Sequence, residues 1–165
     1  MFYRIKQFYQ ALFPSISSLE KEWIKKILSP KAFSLFCRQA RPEQRHALEV
    51  TKSLISTLTP LDFQPEEYEN LLIASLLHDC GKMLVKLYLW QKILIVLING
   101  CPLLIKKHLP GFLTHTLNIA QQHPKWGESL AKEAGLNEQI CQLIRQHHCP
   151  ETKLGRILQK NDNQH

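Results

Sequence analysis

This chain of 165 residues lacks a long apolar stretch. Its longest uninterrupted apolar run covers 93–98, whereas a helix needs roughly 20 apolar residues to cross a bilayer. Arg4 and Lys6 are not followed by an apolar segment that ends in small residues, which is the pattern of a cleavable secretory signal. We therefore expect no spanning helix and a cytoplasmic location.

The chain also lacks closely spaced pairs of cysteines. The chain has five cysteines, an odd number, and no two of them form a C-x-x-C pair. This pattern excludes a disulfide framework and a zinc knuckle. We expect the cysteines to be reduced and to serve mainly in packing.

Acidic residues are few compared with basic ones. Fourteen Asp and Glu stand against 21 Lys and Arg, which gives a formal net charge of +7. The excess is concentrated in two segments, because 1–45 has nine basic side chains against three acidic ones and 83–113 has four lysines and no acid. A positive field attracts nucleotide phosphates and anionic lipid alike, so charge alone does not select the partner.

Strand-like alternation of apolar and polar residues is absent, and apolar residues recur at helical spacing instead. Helix starts are indicated by N-cap residues and by prolines at first-turn positions. These are Ser17 with Glu20, Ser29-Pro30, Pro42 and Pro65. We predict an all-α class with a single compact bundle of about eight to ten helices. The C-terminal helices are expected over 111–122, 124–134, 138–148 and 152–161.

Histidines are the informative residues, because five of the eight lie at or near a predicted helix end beside another potential metal ligand. The ordered set is His46, His78-Asp79, His123, His147-His148 and Asp162. Adjacent residues within a helix diverge by about 100°, so each pair serves one site only where a helix ends. Gly81 and Pro150 place both pairs at such ends. Neutral imidazoles with carboxylates suit Fe, Mn, Co, Ni or Zn.

The order of these residues resembles the HD-domain superfamily of metal-dependent phosphohydrolases. Residues 76–82, LLHDCGK, are similar to the family's L-L-H-D-x-G-K stretch, and residues 123–127, HPKWG, are similar to its H-P-x-x-G stretch. The set looks most like the binuclear branch. That branch includes HD-GYP phosphodiesterases, the HD modules of cyclic-di-AMP phosphodiesterases and YqeK-type dinucleoside tetraphosphate hydrolases. The chain has no G-Y-P sequence.

The resemblance implies one HD domain over 1–165, with basic amphipathic helices in 1–40 and the HD core in 41–162. It implies two divalent transition-metal ions, Fe or Mn, with Zn, Co and Ni as alternatives. One ion is assigned to His46, His78, Asp79 and Asp162. The other is assigned to His123, His147, His148 and the bridging Asp79.

The remaining polar residues near the motifs have smaller expected roles. Lys82 is implied by the resemblance to contact a substrate phosphate. His115 is the alternative to His123, and we expect His108 and His165 to be exposed. Arg45 and Glu49 flank His46 and are weaker candidates for a supporting role.

The resemblance implies an enzyme that hydrolyses a phosphate ester, and a small pocket with a positive surface favours a nucleotide or dinucleotide as the substrate. A hydroxide that bridges the two ions is the expected nucleophile, and Asp79 and Lys82 are the expected catalytic residues. A small phosphorylated molecule is the expected partner, without specific nucleic-acid binding. Two alternatives stay open, namely an HD-type di-iron oxygenase and a non-catalytic regulatory HD module.

Residues 83–113 form an apolar insertion between the two groups of ligands. It is either a helical hairpin packed on the core or, together with the basic segment 1–12, a peripheral contact for a membrane or a partner protein. Because it leaves after Asp79 and returns before His123, we expect it to lie beside the metal site as a cover. Its four lysines predict salt-sensitive binding to anionic lipid.

Overall fold

The structure, a computed structural model, describes residues 15–84 and 111–165. These ranges contain seven α-helices and no strand, which confirms the all-α prediction. The helices are α1 (Ser18–Ile27), α2 (Pro30–Arg38), α3 (Arg41–Thr57), α4 (Pro65–Leu77), α5 (Gly111–Glu133), α6 (Glu138–Gln146) and α7 (Lys153–Asp162). Two 3₁₀ turns, Pro60–Asp62 and Cys80–Leu84, follow α3 and α4.

The predicted helix starts are confirmed by the hydrogen bonds at their caps. The Ser17 hydroxyl accepts a bond from the Glu20 N–H at 3.2 Å, and the Ser17 N–H donates to Glu20 Oε2 at 2.9 Å. Ser29 accepts a bond from the Ala32 N–H ahead of α2. Prolines stand in the first turn of α2, α3 and α4, where a missing N–H costs no intrahelical bond.

The prediction of separate helices over 111–122 and 124–134 is wrong. A single helix, α5, runs through Pro124. A proline inside a helix removes one backbone hydrogen bond, and packing must offset that loss. Here Pro124 is buried, and α5 packs against α6 and the 3₁₀ turn Cys80–Leu84. Tertiary contacts therefore outweigh the local signal for a break.

The seven helices of residues 15–84 and 111–165 are fewer than the eight to ten predicted for the whole chain. The helices expected within 1–12, 89–98 and 103–107 lie outside the described residues. The same holds for the expected cover and its membrane contact. Of the four described cysteines, all are free, and only Cys80 and Cys141 are buried in packing positions.

Helix α4 is the central element of the described bundle. It packs against α1, α2, α3, α6 and α7. Six of its last seven residues, 71–77, are buried, so this part of the helix has no side that faces solvent. The functional consequence is that α4 ends, at His78, in the middle of the core. Within 15–84 and 111–165, no helix combines the length and the apolarity that crossing a membrane requires.

Candidate metal centre

His78 and Asp79 are brought to one point by the end of α4. His78 is the C-cap residue of α4, and the chain turns at once into the 3₁₀ turn Cys80–Leu84. His78 Nε2 lies 3.7 Å from Asp79 Oδ2, so the two neighbouring side chains face the same space. Both side chains are buried. The helix end thus removes the divergence that a continuing helix would impose.

Two glycines let this turn lie directly on α5. A Cβ atom on Gly81 would come within 1.9 Å of the His123 carbonyl oxygen and 2.6 Å of the Gly127 nitrogen. No side chain fits there, so glycine is required for the close approach of the two backbones. The contact brings Asp79 Oδ1 to 3.3 Å from His123 Nε2. The H-D-x-G-K and H-P-x-x-G stretches therefore form one packed unit.

The first group of candidate ligands joins α3, α4 and α7. His46 Nε2 lies 2.8 Å from Asp162 Oδ1, and His78 Nε2 lies 3.3 Å from the same oxygen. Asp162 is the last residue of α7, so its carboxylate extends from a helix end. One ligand atom each from His46, His78 and Asp79 lies within 4.8 Å of the others, as expected of side chains that can close on one ion.

The second group comes from α5 and from the end of α6. His123 Nε2 and His147 Nε2 are 3.3 Å apart, and His147 Nε2 lies 3.8 Å from Asp79 Oδ1. The His148 ring centroid is 5.1 Å from that of His123, and His148 is the exposed member of the group. The ligand atoms of His123, His147 and His148 also lie within 4.8 Å of one another. All seven residues predicted as ligands therefore meet at one centre.

Backbone contacts fix the orientation of two imidazoles. His78 Nδ1 lies 2.9 Å from the Ser75 carbonyl and His147 Nδ1 lies 2.7 Å from the Ile144 carbonyl. A carbonyl only accepts, so both Nδ1 atoms carry a proton, and Nε2 is the atom that offers a lone pair to the centre when each ring is neutral. In the described part of the chain, His78 Nε2 and Asp79 Oδ1 are buried and make no hydrogen bond. A cation fits two such buried lone-pair atoms.

The sequence profile of the HD domain family matches residues 45–164, which contain all of these side chains. The chain belongs to the HD domain family. Neither a curated protein nor a solved structure matches it. Membership in this family, together with the two histidine groups, indicates a metal-dependent phosphohydrolase.

Lys82 places a cation at the edge of this HD domain's centre. Its Nζ lies 2.6 Å from Asp79 Oδ2. Burial of Asp79 acts to raise the pKa of its carboxyl, but Lys82 and His78 overcome that effect and hold the pKa well below its usual range. The Lys82 pKa is raised in turn, because the nearby Asp79, Glu43 and Asp162 outweigh burial. The carboxylate and the ammonium are therefore both charged at neutral pH.

The pKa values of the imidazoles differ between the two groups of the HD domain. Burial and the neighbouring imidazoles lower the pKa of His147 and of His148. Burial also acts to lower the pKa of His78, but Asp79 and Asp162 raise it above its usual value. Neutral imidazole is the form that binds a metal ion. His147 and His148 are thus in that form at neutral pH.

Several supporting residues of the centre are not indicated by any local sequence signal. Gln39 donates from Nε2 to the Leu76 carbonyl at 3.0 Å and so caps the end of α4. Thr51 Oγ1 lies 2.7 Å from Ser75 Oγ and links α3 to α4 one turn before His78. Both contacts join residues distant in sequence, and Gln39 has no motif of its own.

The weaker candidates lie outside the centre or outside the described side chains. Arg45 pairs with Glu49 and donates to Glu20 at 3.0 Å, so these side chains connect α3 to α1. His165 is exposed, as predicted. His108 and the His115 side chain lie outside what the structure describes.

Proposed function

We propose that this HD domain hydrolyses a phosphate ester with the help of two divalent transition-metal ions, Fe or Mn. The observation that carries the proposal is Asp79, whose two carboxylate oxygens face different groups of imidazoles. Asp79 Oδ1 lies 3.3 Å from His123 Nε2, and Asp79 Oδ2 lies 3.7 Å from His78 Nε2. A carboxylate can serve two ions in this way, whereas an imidazole cannot.

The proposed ligands divide along the same line. His46, His78 and Asp162 would hold one ion, and His123, His147 and His148 would hold the other, with Asp79 shared. When bound, such ions activate a water for attack on phosphorus and neutralise charge on the phosphoryl oxygens. The backbone carbonyls of Ser75 and Ile144 keep the His78 and His147 rings in the tautomer that this role requires.

Lys82 is the proposed contact for the substrate phosphate. Its side chain is 39% exposed while Asp79 is 3% exposed, so the ammonium reaches the centre from the solvent side. A phosphorylated substrate approaches from that side. The net charge of +7 supports an anionic substrate, and a nucleotide or dinucleotide is the class we propose.

The first test is elemental analysis of purified protein loaded with Mn²⁺ or Fe²⁺, followed by a panel of nucleotide and dinucleotide phosphoesters. We expect about two ions per chain and release of phosphate or of a nucleoside monophosphate. Chelation should lower the melting temperature, because only the folded chain assembles ligands that are distant in sequence.

The outcomes separate the alternatives. A fully loaded sample with one ion or none would contradict the two-ion centre. Oxygen consumption without phosphoester hydrolysis would favour the di-iron oxygenase. Two bound ions without turnover on any substrate of the panel would favour a regulatory module.

A further inference from the structure

The two oxygens of Asp79 have unequal surroundings. Oδ1 lies near two imidazoles, with His123 Nε2 at 3.3 Å and His147 Nε2 at 3.8 Å, and it makes no hydrogen bond in the described part of the chain. Oδ2 accepts a bond from Lys82 Nζ at 2.6 Å. Oδ1 is therefore open to a cation, whereas Oδ2 is already paired with the Lys82 ammonium.

The two partners of this ion pair differ in their freedom to move. Asp79 is fixed in the core at the end of α4, with 3% of its side chain exposed. Lys82 extends toward it from the 3₁₀ turn on a flexible four-carbon stem, with 39% of its side chain exposed. Because Asp79 is held in the core, the ion pair can open only by movement of the Lys82 side chain.

A metal ion at the first group would lie close to the Lys82 ammonium. Asp79 Oδ2 is the oxygen that faces His78, and Asp162 contributes to the charge field at Lys82 as well. Two positive charges a few ångströms apart in a partly buried site repel each other, because solvent screens them less there than at the surface. The second group, built from His123, His147 and His148, approaches Asp79 from its other oxygen.

We infer that Lys82 is a displaceable counter-ion that weakens metal binding at the His46, His78 and Asp162 position and leaves the other position nearly unaffected. This inference rests on the proposed two-ion function. It links metal loading to substrate binding, because Lys82 becomes available for a phosphate only when an ion takes its place on Asp79 Oδ2.

The test is a Mn²⁺ titration of the metal-stripped full chain by calorimetry, with free Mn²⁺ followed by electron paramagnetic resonance. The variant is Lys82→Gln, which removes the charge and keeps an N–H donor for Asp79. Lys82→Arg keeps the charge, and Lys31→Met serves as the matched control because Lys31 is an exposed lysine on α2. Circular dichroism of each metal-stripped protein checks the fold.

We expect Lys82→Gln to tighten one of the two dissociation constants by about tenfold, which corresponds to 1.4 kcal/mol. The other constant should change less than twofold, and Lys82→Arg and Lys31→Met should match the wild type. In a His46→Ala background, which lacks a ligand of the first position, the effect of Lys82→Gln should vanish.

Unchanged constants in Lys82→Gln would overturn the inference while leaving the two-ion centre in place. Equal tightening of both constants would also overturn it, because that result reflects a general change in charge. A failure of the proposed function looks different, since one ion or none would then bind in the wild type and in both Lys82 variants. If Lys82→Gln does not fold, a Lys82→Arg protein whose constants depart from the wild type overturns the inference.

Discussion

Two clusters of charged side chains in this molecule differ in how their charges are paired. On the outer side of α3, Glu20 accepts bonds from Arg45 at 3.0 Å and from Lys52 at 2.6 Å, besides its bond to the Ser17 N–H. At the metal centre, Asp79 Oδ1 and His78 Nε2 are buried without a hydrogen bond. Arg45 Nε in the first cluster is also buried without a hydrogen bond, but it is a donor, whereas Asp79 Oδ1 is an acceptor that a cation can complete.

The difference indicates which of the two clusters could take up a cation. A buried polar atom without a partner costs about 1 to 3 kcal/mol, so a fold retains such atoms where something else completes them. The outer cluster connects α1 to α3 through the bonds that Glu20 accepts from Arg45 and Lys52. The two clusters should therefore respond very differently to substitution.

Asp79→Ala is expected to have the largest effect. It removes the carboxylate that faces both groups of imidazoles, so bound metal should fall from about two ions to less than one and turnover should drop by at least about 1,000-fold. Metal analysis and phosphoester kinetics give the measurement. Asp62→Ala, at an exposed position after α3, is the control and should keep both. Full metal content in Asp79→Ala would contradict the assignment of Asp79.

Gly81→Ala should follow, as a test of how the centre is held together. Its Cβ would meet the His123 carbonyl oxygen at 1.9 Å, so the turn after α4 must move away from α5 at a cost of about 3 kcal/mol. Urea unfolding measures the loss, and metal affinity should fall with it. Gly135→Ala is the control, since Gly135 has φ +80° and nothing within 4 Å. It should lose about 1 kcal/mol and bind metal normally. If Gly81→Ala and Gly135→Ala changed metal affinity equally, the idea that close packing at Gly81 holds the centre together would be contradicted.

Thr51→Val tests a buried contact that is uncharged and already satisfied. Thr51 Oγ1 contacts the Ala47 carbonyl and Ser75 Oγ, each at 2.7 Å, and Ser75 Oγ contacts the Leu72 carbonyl at 2.8 Å. Two hydroxyl protons serve three contacts, so the loss of one hydroxyl should cost only about 1 kcal/mol in thermal or urea unfolding. Thr51→Ser should retain most of that stability. A loss in unfolding free energy above about 3 kcal/mol would contradict the small contribution expected of this pair.

Glu20→Gln should have the smallest effect at neutral pH, about 0.5 kcal/mol in the free energy of unfolding. Burial acts to raise the pKa of Glu20, but Lys52, Ser17 and Arg45 lower it to about 2. A lowered folded-state pKa means that the charge stabilises the fold above the usual value of 4.5 and that this contribution is lost as the pH falls toward 2.

The difference in free energy of unfolding between the wild type and Glu20→Gln should therefore be smaller at pH 3 than at pH 7, as measured by urea unfolding. Glu22→Gln is the control, because Glu22 is 64% exposed and forms an exposed ion pair with Lys25 on the same helix. A larger difference at pH 3 than at pH 7 would contradict the proposed role of the Glu20 charge.

Local signals explain why so much of the fold and the ligand set was predictable. Ser17 and Ser29 cap helices because a side-chain oxygen satisfies an exposed N–H within three residues, which a sequence displays directly. The ordered His and Asp residues lie in recognisable stretches, and the structure gathers all seven. Their roles as ligands remain predictions.

Non-local contacts explain what the sequence left out. Pro124 is a local signal for a helix break, but packing against the turn after α4 overrules it. Gln39 and Thr51 support the centre through partners 37 and 24 residues away, and neither has a local pattern. The ion pair of Lys82 with Asp79 lies within three residues, yet only the structure shows which oxygen it engages.

The bond between His46 and Asp162 joins residues 116 positions apart, and this separation bears on folding kinetics. Closing so long a loop carries a large entropic cost, whereas the helices and their caps form from neighbours. We expect the helices to form early and the centre to close after the main barrier. A ligand that binds only the closed centre then slows unfolding and leaves the folding rate nearly unchanged. Metal would thus act on the lifetime of the native chain.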